Sequence, residues 1–270
     1  MDTAQPDELS AEDARGVARI VQKLRKAKRV LAVTGAGLSA DSGLPTYRGV
    51  GGLYHADRPA TKGMAIEVVL SGAMLQSRPE VTWTYLKEVE RACRGARPNR
   101  GHRVLAEMQS YFDAVWILTQ NVDGFHAAAG SRNVLDVHGD LHEVRCTACP
   151  YRVRVETYEG MTDVPRCPDC GAGLRPDVVL FGEPLDPARV GRLEAEMTRG
   201  FDAVLSIGTS SLFDYVAEPI RVARAAGWTT AEINPDATVV SMLVDVKIRA
   251  RAAAALDRIW EGYLEWWPHT

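Results

Sequence analysis

The sequence predicts an α/β fold: a mostly parallel sheet with helices packed on it, interrupted by two insertions. Three observations carry this. Short apolar runs alternate with stretches of helical period, as successive βαβ units require. The first apolar run ends in a glycine turn, Thr34-Gly35-Ala36-Gly37, the pattern of a buried strand feeding a tight loop. Two stretches, 48–101 and 142–174, break the alternation and read as additions to one α/β unit.

In chain order, residues 8–28 form a predicted helix. Val17, Ile20, Val21 and Leu24 fall at i, i+3, i+4 and i+7, and Ser10 with Asp13 supplies a start signal. Residues 29–33 are the first strand. Residues 102–112 are helical, with Leu105, Met108 and Phe112 on one face, and 114–118 and 134–137 are strands. Another strand, 203–207, ends at Gly208-Thr209-Ser210. Residues 215–226 are helical, 230–233 form a strand ending at Asn234-Pro235, and 252–264 are the final helix. The first insertion has helical pieces and no strand. The second holds four cysteines and a charged ribbon, 151–155. Together the insertions form an expected smaller domain.

Composition limits what such a fold can do. The chain has 270 residues, enough for one large or two smaller domains. Hydrophobic residues make up 46% and charged residues 25%, the balance of a soluble globular protein. The net charge of −3 gives no electrostatic reason to expect nucleic-acid binding. No apolar run approaches the ~20 residues of a membrane span. Residues 1–12 are polar and acidic, unlike a signal or transit peptide, so a cytoplasmic location is expected.

Four of the five cysteines form two pairs, Cys146/Cys149 and Cys167/Cys170. The spacing C-x2-C-x17-C-x2-C suits a four-thiolate zinc site, each pair aiming two sulfurs at one point. Two disulfides or four buried thiols are the competing readings, and neither suits a chain without a secretory signal. Four thiolates leave no open coordination position, so the expected Zn²⁺ is structural. Cys93 has no partner in sequence and reads as a buried, inert thiol.

Gly35-Ala36-Gly37-Leu38-Ser39-Ala40 follows a strand and opens a helix, matching the looser G-x-G-x-x-A dinucleotide fingerprint. The acidic residue expected about 20 positions on is missing, so an ordinary hydride-transferring dehydrogenase fits poorly. Polar clusters end the other predicted strands: 119–123, His138-Gly139, Gly208-Thr209-Ser210 and Asn234. Each could be a simple turn. Their convergence beyond the carboxyl ends of parallel strands points to one ligand crevice.

The runs GAGLSADSGLPTYRG at 35–49, TQNVDGFH at 119–126, HGD at 138–140, RPDVVLFGE at 175–183, GTSS at 208–211 and INPD at 233–236 occur in order with the cysteine pairs. With these motifs the chain resembles the sirtuins, NAD-dependent protein-lysine deacylases, over about residues 15–260. The Pro45-Thr46-Tyr47-Arg48 run resembles the bacterial and mitochondrial-type branch. The resemblance implies a Rossmann-like NAD-binding domain with helices on both faces of its sheet (1–47, 102–141 and 175–270). It also implies a small domain made of a helical module (48–101) and a zinc ribbon (142–174), with NAD in the cleft between the two domains.

By the same resemblance, Gly35, Ala36 and Ser39 line the NAD phosphate and ribose region, and Thr46, Tyr47 and Arg48 belong to a cofactor loop. Gln120, Asn121 and Asp123 hold the ribose and nicotinamide carboxamide. Gly208, Thr209, Ser210, Asn234 and Ala252 serve the adenosine half. Val178, Phe181, Gly182 and Glu183 clamp the acyl-lysine of a protein substrate. Asn121 and His138 are the catalytic pair. Asn121 orients the leaving nicotinamide as the acyl oxygen attacks the ribose. His138, with an ordinary pKa near ~6.5, takes a proton from a ribose hydroxyl, which then attacks the acyl carbon. The implied products are free lysine, nicotinamide and O-acyl-ADP-ribose. His126 has a supporting role at most, and the remaining histidines read as structural or exposed.

The sequence departs from the family in two places. Relatives that remove acidic acyl groups carry a Tyr-x-x-Arg pair in the helical module. Here the equivalent stretch is Val81 to Glu88, with Glu88 three after Tyr85. A buried carboxylate without a cation is costly, so succinyl removal is expected to be weak. The adenine loop near 247–252 is Arg- and Ala-rich rather than glycine-containing. Two rival functions remain on this fold, a mono-ADP-ribosyltransferase and a non-catalytic NAD- or acyl-lysine-binding module. Neither nucleic acid nor membrane is an expected partner.

Overall fold

The computed structural model describes residues 9–45 and 63–267. Helix α1 (Ala11–Leu24) begins at the sequence's start signal, the Asp13 N–H donating to Ser10 Oγ at 3.1 Å. Strand β1 (Arg29–Thr34) and the short α2 (Ala36–Ala40) follow. Three helices come next: α3 (Ile66–Val69), α4 (Gly72–Ser77) and α5 (Pro79–Cys93). Helix α6 (Arg100–Met108), β2 (Ala114–Thr119), α7 (Phe125–Ala128) and β3 (Val134–Asp136) return to the alternating pattern. Strands β4 (Gly139–Cys146), β5 (Arg152–Arg154) and β6 (Leu174–Val178) form a separate group. The chain ends with α8 (Pro187–Arg199), β7 (Ala203–Ile207), α9 (Asp214–Ala225), β8 (Thr229–Ile233), β9 (Val246–Ile248) and α10 (Ala252–Trp266).

Six strands pair in parallel in the order β3-β2-β1-β7-β8-β9. Burial on both faces explains why β1 reads as an unbroken apolar run. Val30 and Ala32 face a core with Ile20 and Leu24 of α1, Leu105 of α6 and Leu256 of α10. Leu31 and Val33 face the opposite core with Val216 and Ile220 of α9, where Leu193 of α8 also packs. Successive strands run outward from β1 in one direction and from β7 in the other. The order therefore reverses between β1 and β7, where an open parallel sheet leaves a crevice beyond its strand ends.

The second sheet, β5-β4-β6, is antiparallel. It shares a third core with the helical module: Trp83, Leu86 and Val89 of α5 pack with Leu141, Val144 and Val178. The Trp83 indole N–H donates to the Leu174 carbonyl at 3.0 Å, satisfying a buried donor.

Helix α8, the strand β4 and the three-residue edge strand β9 were not among the predicted elements. The tail at 247–252 holds the end of β9 and the start of α10, with Ala252 as the first helical residue. No helix of the described residues is long and apolar enough to cross a membrane.

Candidate active site

The turns after β1 and β7 touch backbone to backbone. The Gly37 N–H donates to the Gly208 carbonyl at 2.8 Å. A Cβ on Gly35 would lie 2.7 Å from the Thr209 side chain, and one on Gly37 would lie 2.8 Å from Gly208. Gly208 has φ +58°, and a Cβ there would lie 2.4 Å from the Leu38 nitrogen. Only glycine permits this approach. It leaves an open, flat backbone floor at the strand reversal, beneath a cleft of about 630 Å³. That floor suits an extended phosphate-bearing ligand such as NAD, which needs close backbone approach.

One wall of the cleft is polar. Asn121 is buried, and its side-chain amide donates to the Gly35 carbonyl and to Ser39 Oγ, both at 3.0 Å. Ser39 Oγ in turn donates to Asp123 Oδ2 at 2.6 Å. Burial raises the Asp123 pKa, and the Ser39 hydroxyl and Phe125 N–H pull against it. Gln120 donates to Thr209 Oγ1 at 2.9 Å, and Asn234 donates to the Thr209 carbonyl at 3.1 Å, tying three strand ends together. Gly35, Ala36, Gln120 and Asn121 line the cleft, as do Gly208, Thr209, Ser210, Asn234 and Ala252. Ser39 and Asp123 stand behind Asn121, and Asp123 borders a second cavity of about 290 Å³. Thr46, Tyr47 and Arg48 lie outside the described residues.

His138 also lines the cleft, between β3 and β4. Its Nδ1 lies 3.1 Å from the Gln120 carbonyl. A carbonyl only accepts, so Nδ1 carries the proton and Nε2 holds the lone pair. Nε2 meets the Tyr215 hydroxyl. Burial lowers the His138 pKa and the Gln120 carbonyl opposes the shift, so the imidazole is neutral at pH 7 and able to act as a base.

The opposite wall comes from the end of β6 and the loop after it. Val178, Phe181, Gly182 and Glu183 all line the cleft. The Val179 N–H donates to the His138 carbonyl at 2.9 Å, so this segment is tied to the His138 backbone. Phe181 bridges to Ser71, which ties the loop to the helical module. Glu183 is held by Arg175 at 2.6 and 2.8 Å and by the Leu180 N–H at 2.9 Å. Burial raises the Glu183 pKa, but Arg175 and that N–H outweigh it and the net shift is downward.

Other cleft-lining groups were not singled out from the sequence. Leu86 and Val89 of α5 contribute side chains one helical turn apart, beside Leu70, Leu141 and Leu180. Phe213 and Tyr215 enter from the start of α9. No sequence signal marked them, because helical period shows which residues are apolar but not which face a ligand. His126 is buried, with Nε2 2.9 Å from Thr34 Oγ1. Cys93 is half-buried, and burial pushes its thiol up to about 11.

The sulfurs of Cys146, Cys149, Cys167 and Cys170 lie within 4.8 Å of one another, and none is in a disulfide. The edges of a zinc–thiolate tetrahedron are about 3.8 Å, so the cluster fits the ion. The Ala148 N–H donates to Cys146 Sγ at 3.3 Å, a backbone donor that favours the metal-binding thiolate.

A sequence model of the Sir2 family matches residues 35–213. The chain is 46% identical over 246 residues to NAD-dependent protein deacylase 2 of Pseudomonas aeruginosa, covering 90% of this chain and 95% of that one. It is 34% identical over 241 residues to NAD-dependent protein deacylase 1 of Archaeoglobus fulgidus, covering 89% and 95%. A crystal structure of a Sir2 homologue–NAD complex superposes with a TM-score of 0.82 at 32% identity, covering 92% and 94%. A Sir2–p53 peptide–NAD⁺ structure superposes at 0.77 with 26% identity, covering 90% and 96%.

Proposed function

The chain belongs to the Sir2 family, and on that premise we propose that it is an NAD-dependent protein-lysine deacylase acting on acetyl or apolar acyl groups. The observation that carries this reading is the position of His138. Its neutral imidazole lines the same cleft as Asn121, the glycine floor and the loop after β6.

When bound, NAD supplies a ribosyl carbon that nicotinamide can leave and a ribose hydroxyl that can accept the acyl group. The protein's residues do the rest. Asn121, braced by Ser39 and with Asp123 behind it, orients the carboxamide. Gln120, Thr209, Ser210 and Asn234 position the ribose and adenosine parts, with Gly35 and Ala36 beneath and Ala252 at the adenine end. The resemblance assigns Thr46, Tyr47 and Arg48 to the cofactor as well. His138 Nε2 takes the proton that activates the ribose hydroxyl. Val178, Phe181 and Gly182 hold the acyl-lysine segment, and Glu183 fixes their loop through Arg175.

The acyl preference rests on the apolar wall of Leu86 and Val89. Arg251 is the only guanidinium lining the cleft among the described residues, and it pairs with Asp41 at 2.6 Å. Among the described residues an acidic acyl group would meet no free cation there, so succinyl removal is disfavoured. The zinc holds the small sheet and does no chemistry. The cytoplasmic placement is supported by cysteines outside any disulfide, and the net charge of −3 supports a reading without nucleic acid.

The test is purified protein with NAD and acetyl-, butyryl-, myristoyl- and succinyl-lysine peptides, read by mass spectrometry with His138→Ala alongside. Free lysine peptide and O-acyl-ADP-ribose should appear together and vanish in the variant. No release from any peptide overturns the reading, and a succinyl efficiency above acetyl overturns the acyl preference.

A further inference from the structure

The cleft has two ends. Asn121, His138 and the loop after β6 line one, and Asn234, Asp236, Arg251 and Ala252 line the other. The strand order puts the glycine floor, after β1 and β7, between Asn121 after β2 and Asn234 after β8. A dinucleotide whose nicotinamide reaches Asn121 and His138 therefore has its adenosine half at the β8 end.

Two arginines stand two residues apart before α10 and go different ways. Arg249 turns to α1: its N–H donates to Asp13 Oδ1 at 2.5 Å, and its guanidinium lies 3.7 Å from Glu12. Arg251 lines the cleft, its Nε donating to Asp41 Oδ1 at 2.6 Å. Asp41 Oδ2 accepts the Ala253 N–H at 2.7 Å, in the first turn of α10. Both oxygens of Asp41 are thus committed, and the acid sits where the helix dipole favours it. Asp41 closes α2, which follows the glycine turn, so the pair ties the floor to α10. The Asp41 side chain is 8% exposed and the Arg251 side chain 52%. A planar cation is thereby held at the cleft wall with half of its surface uncovered.

We propose that Arg251 is an adenine-binding residue, whose guanidinium plane stacks on the adenine of NAD and so selects a planar base at the β8 end. A guanidinium is flat and weakly hydrated, so it loses little on being covered by a base. Its ion pair makes it a poor phosphate site. The charge is already met by Asp41, and Asp236 lines the same end. A 2′-phosphate there would face two carboxylates, so NADP is disfavoured. This inference deepens the deacylase reading and rests on its placement of NAD in the cleft.

The experiment measures binding to the full chain by calorimetry, without peptide, for wild type, Arg251→Ala and Arg251→Lys. The ligands are NAD, NADP, ADP-ribose and an ADP-ribose analogue carrying hydrogen in place of adenine. A wild type that binds neither NAD nor ADP-ribose overturns the cofactor reading and this inference with it. With a wild type that binds, Arg251→Ala should weaken ADP-ribose by about fivefold or more, the scale of a cation over an aromatic face. The base-free analogue should change by less than about twofold. Arg251→Lys keeps a cation beside Asp41 but loses the plane, so its ADP-ribose affinity should fall with that of Arg251→Ala. In the wild type NADP should bind about tenfold or more weakly than NAD, the effect of placing like charges together.

Unchanged ADP-ribose affinity in Arg251→Ala overturns the adenine role and leaves the cofactor reading standing. An equal loss for the base-free analogue does the same, since the pair would then be structural. Wild-type affinity in Arg251→Lys overturns it in favour of charge alone. NADP bound more tightly than NAD overturns it in favour of a phosphate site. The NADP comparison needs no variant, and Arg251→Lys carries the test if Arg251→Ala does not fold.

Discussion

The two sheets that wall the cleft are ordered by different means. The six-stranded sheet is buried on both faces: alternate residues of β1 enter separate cores, each closed by helices. The three-stranded sheet has one apolar face against α5, and its edge strand β5 exposes both arginines. Four cysteines cluster beside that face. Apolar burial scales with covered area, and a three-stranded sheet covers little. The large sheet is thus held by its core, and the small one by a core plus an ion. Their difference shows that the catalytic cleft depends on two unrelated sources of stability, since His138 follows β3 of one sheet and the loop after β6 belongs to the other.

The largest effect should come from removing the ion. Structural zinc contributes on the order of 10 kcal/mol to small zinc-dependent folds. Chelation, or Cys146→Ser, should abolish deacylation and expose the amides of β4 and β6 to hydrogen exchange while β1 and β7 stay protected. Equal loss of protection in both sheets would break the comparison.

Acid should act on the large domain through His102 and His126. Both are buried, 5.0 Å apart, and His102 Nε2 and His126 Nδ1 have no hydrogen-bond partner. Burial, then Arg103, lowers His102 from 6.5 to about 4, and burial, then His102, lowers His126 to about 3. Below pH 6.5 the unfolded chain takes up protons that the folded chain refuses. Stability is therefore intact above that pH and falls as pH drops toward 4. Each histidine contributes up to about 1.4 kcal/mol per pH unit to the slope. Urea midpoints measured from pH 7 to 4.5 should show the decline, and His102→Gln should remove about half of the histidine-linked slope. An unchanged slope would show that the pair does not set acid sensitivity.

The smallest effect concerns the joint between the regions. Arg175 of β6 is buried, and its loss leaves the Glu183 carboxylate half-buried without its partner. Arg175→Met should cost about 2 kcal/mol in urea unfolding and raise the peptide KM more than the NAD KM. Equal changes in both KM values would show that the pair supports the whole cleft rather than its peptide wall.

Much of the large sheet was legible because its strands are continuous apolar runs ending in small polar residues, as at Ala203–Ile207. The cysteine pairs were legible because metal geometry constrains spacing. Strand β9 escaped because three residues carry no measurable period, and β4 because its buried face is interrupted by His142 and Glu143. The cleft's polar residues were found through motifs, whereas Leu86, Val89 and Tyr215 were not. Tyr215 meets His138 across 77 residues, a contact that no local pattern announces. The Tyr-x-x-Arg comparison was made on Tyr85 and Glu88, yet the α5 residues that line the cleft are Leu86 and Val89.

The strand order also sets a schedule for synthesis. Strand β1 emerges early, but its neighbour β7 is made last among the strands that flank the floor. Arg29 accepts its fixed place only when its N–H can donate to Asp202, 173 residues on. Until then the innermost strand of the nascent chain keeps one bare hydrogen-bonding edge, flanked by apolar side chains. Such an edge invites pairing with other chains. Slow translation between β1 and β7, or loss of holding chaperones, should therefore lower the yield of this protein more than its equilibrium stability would suggest.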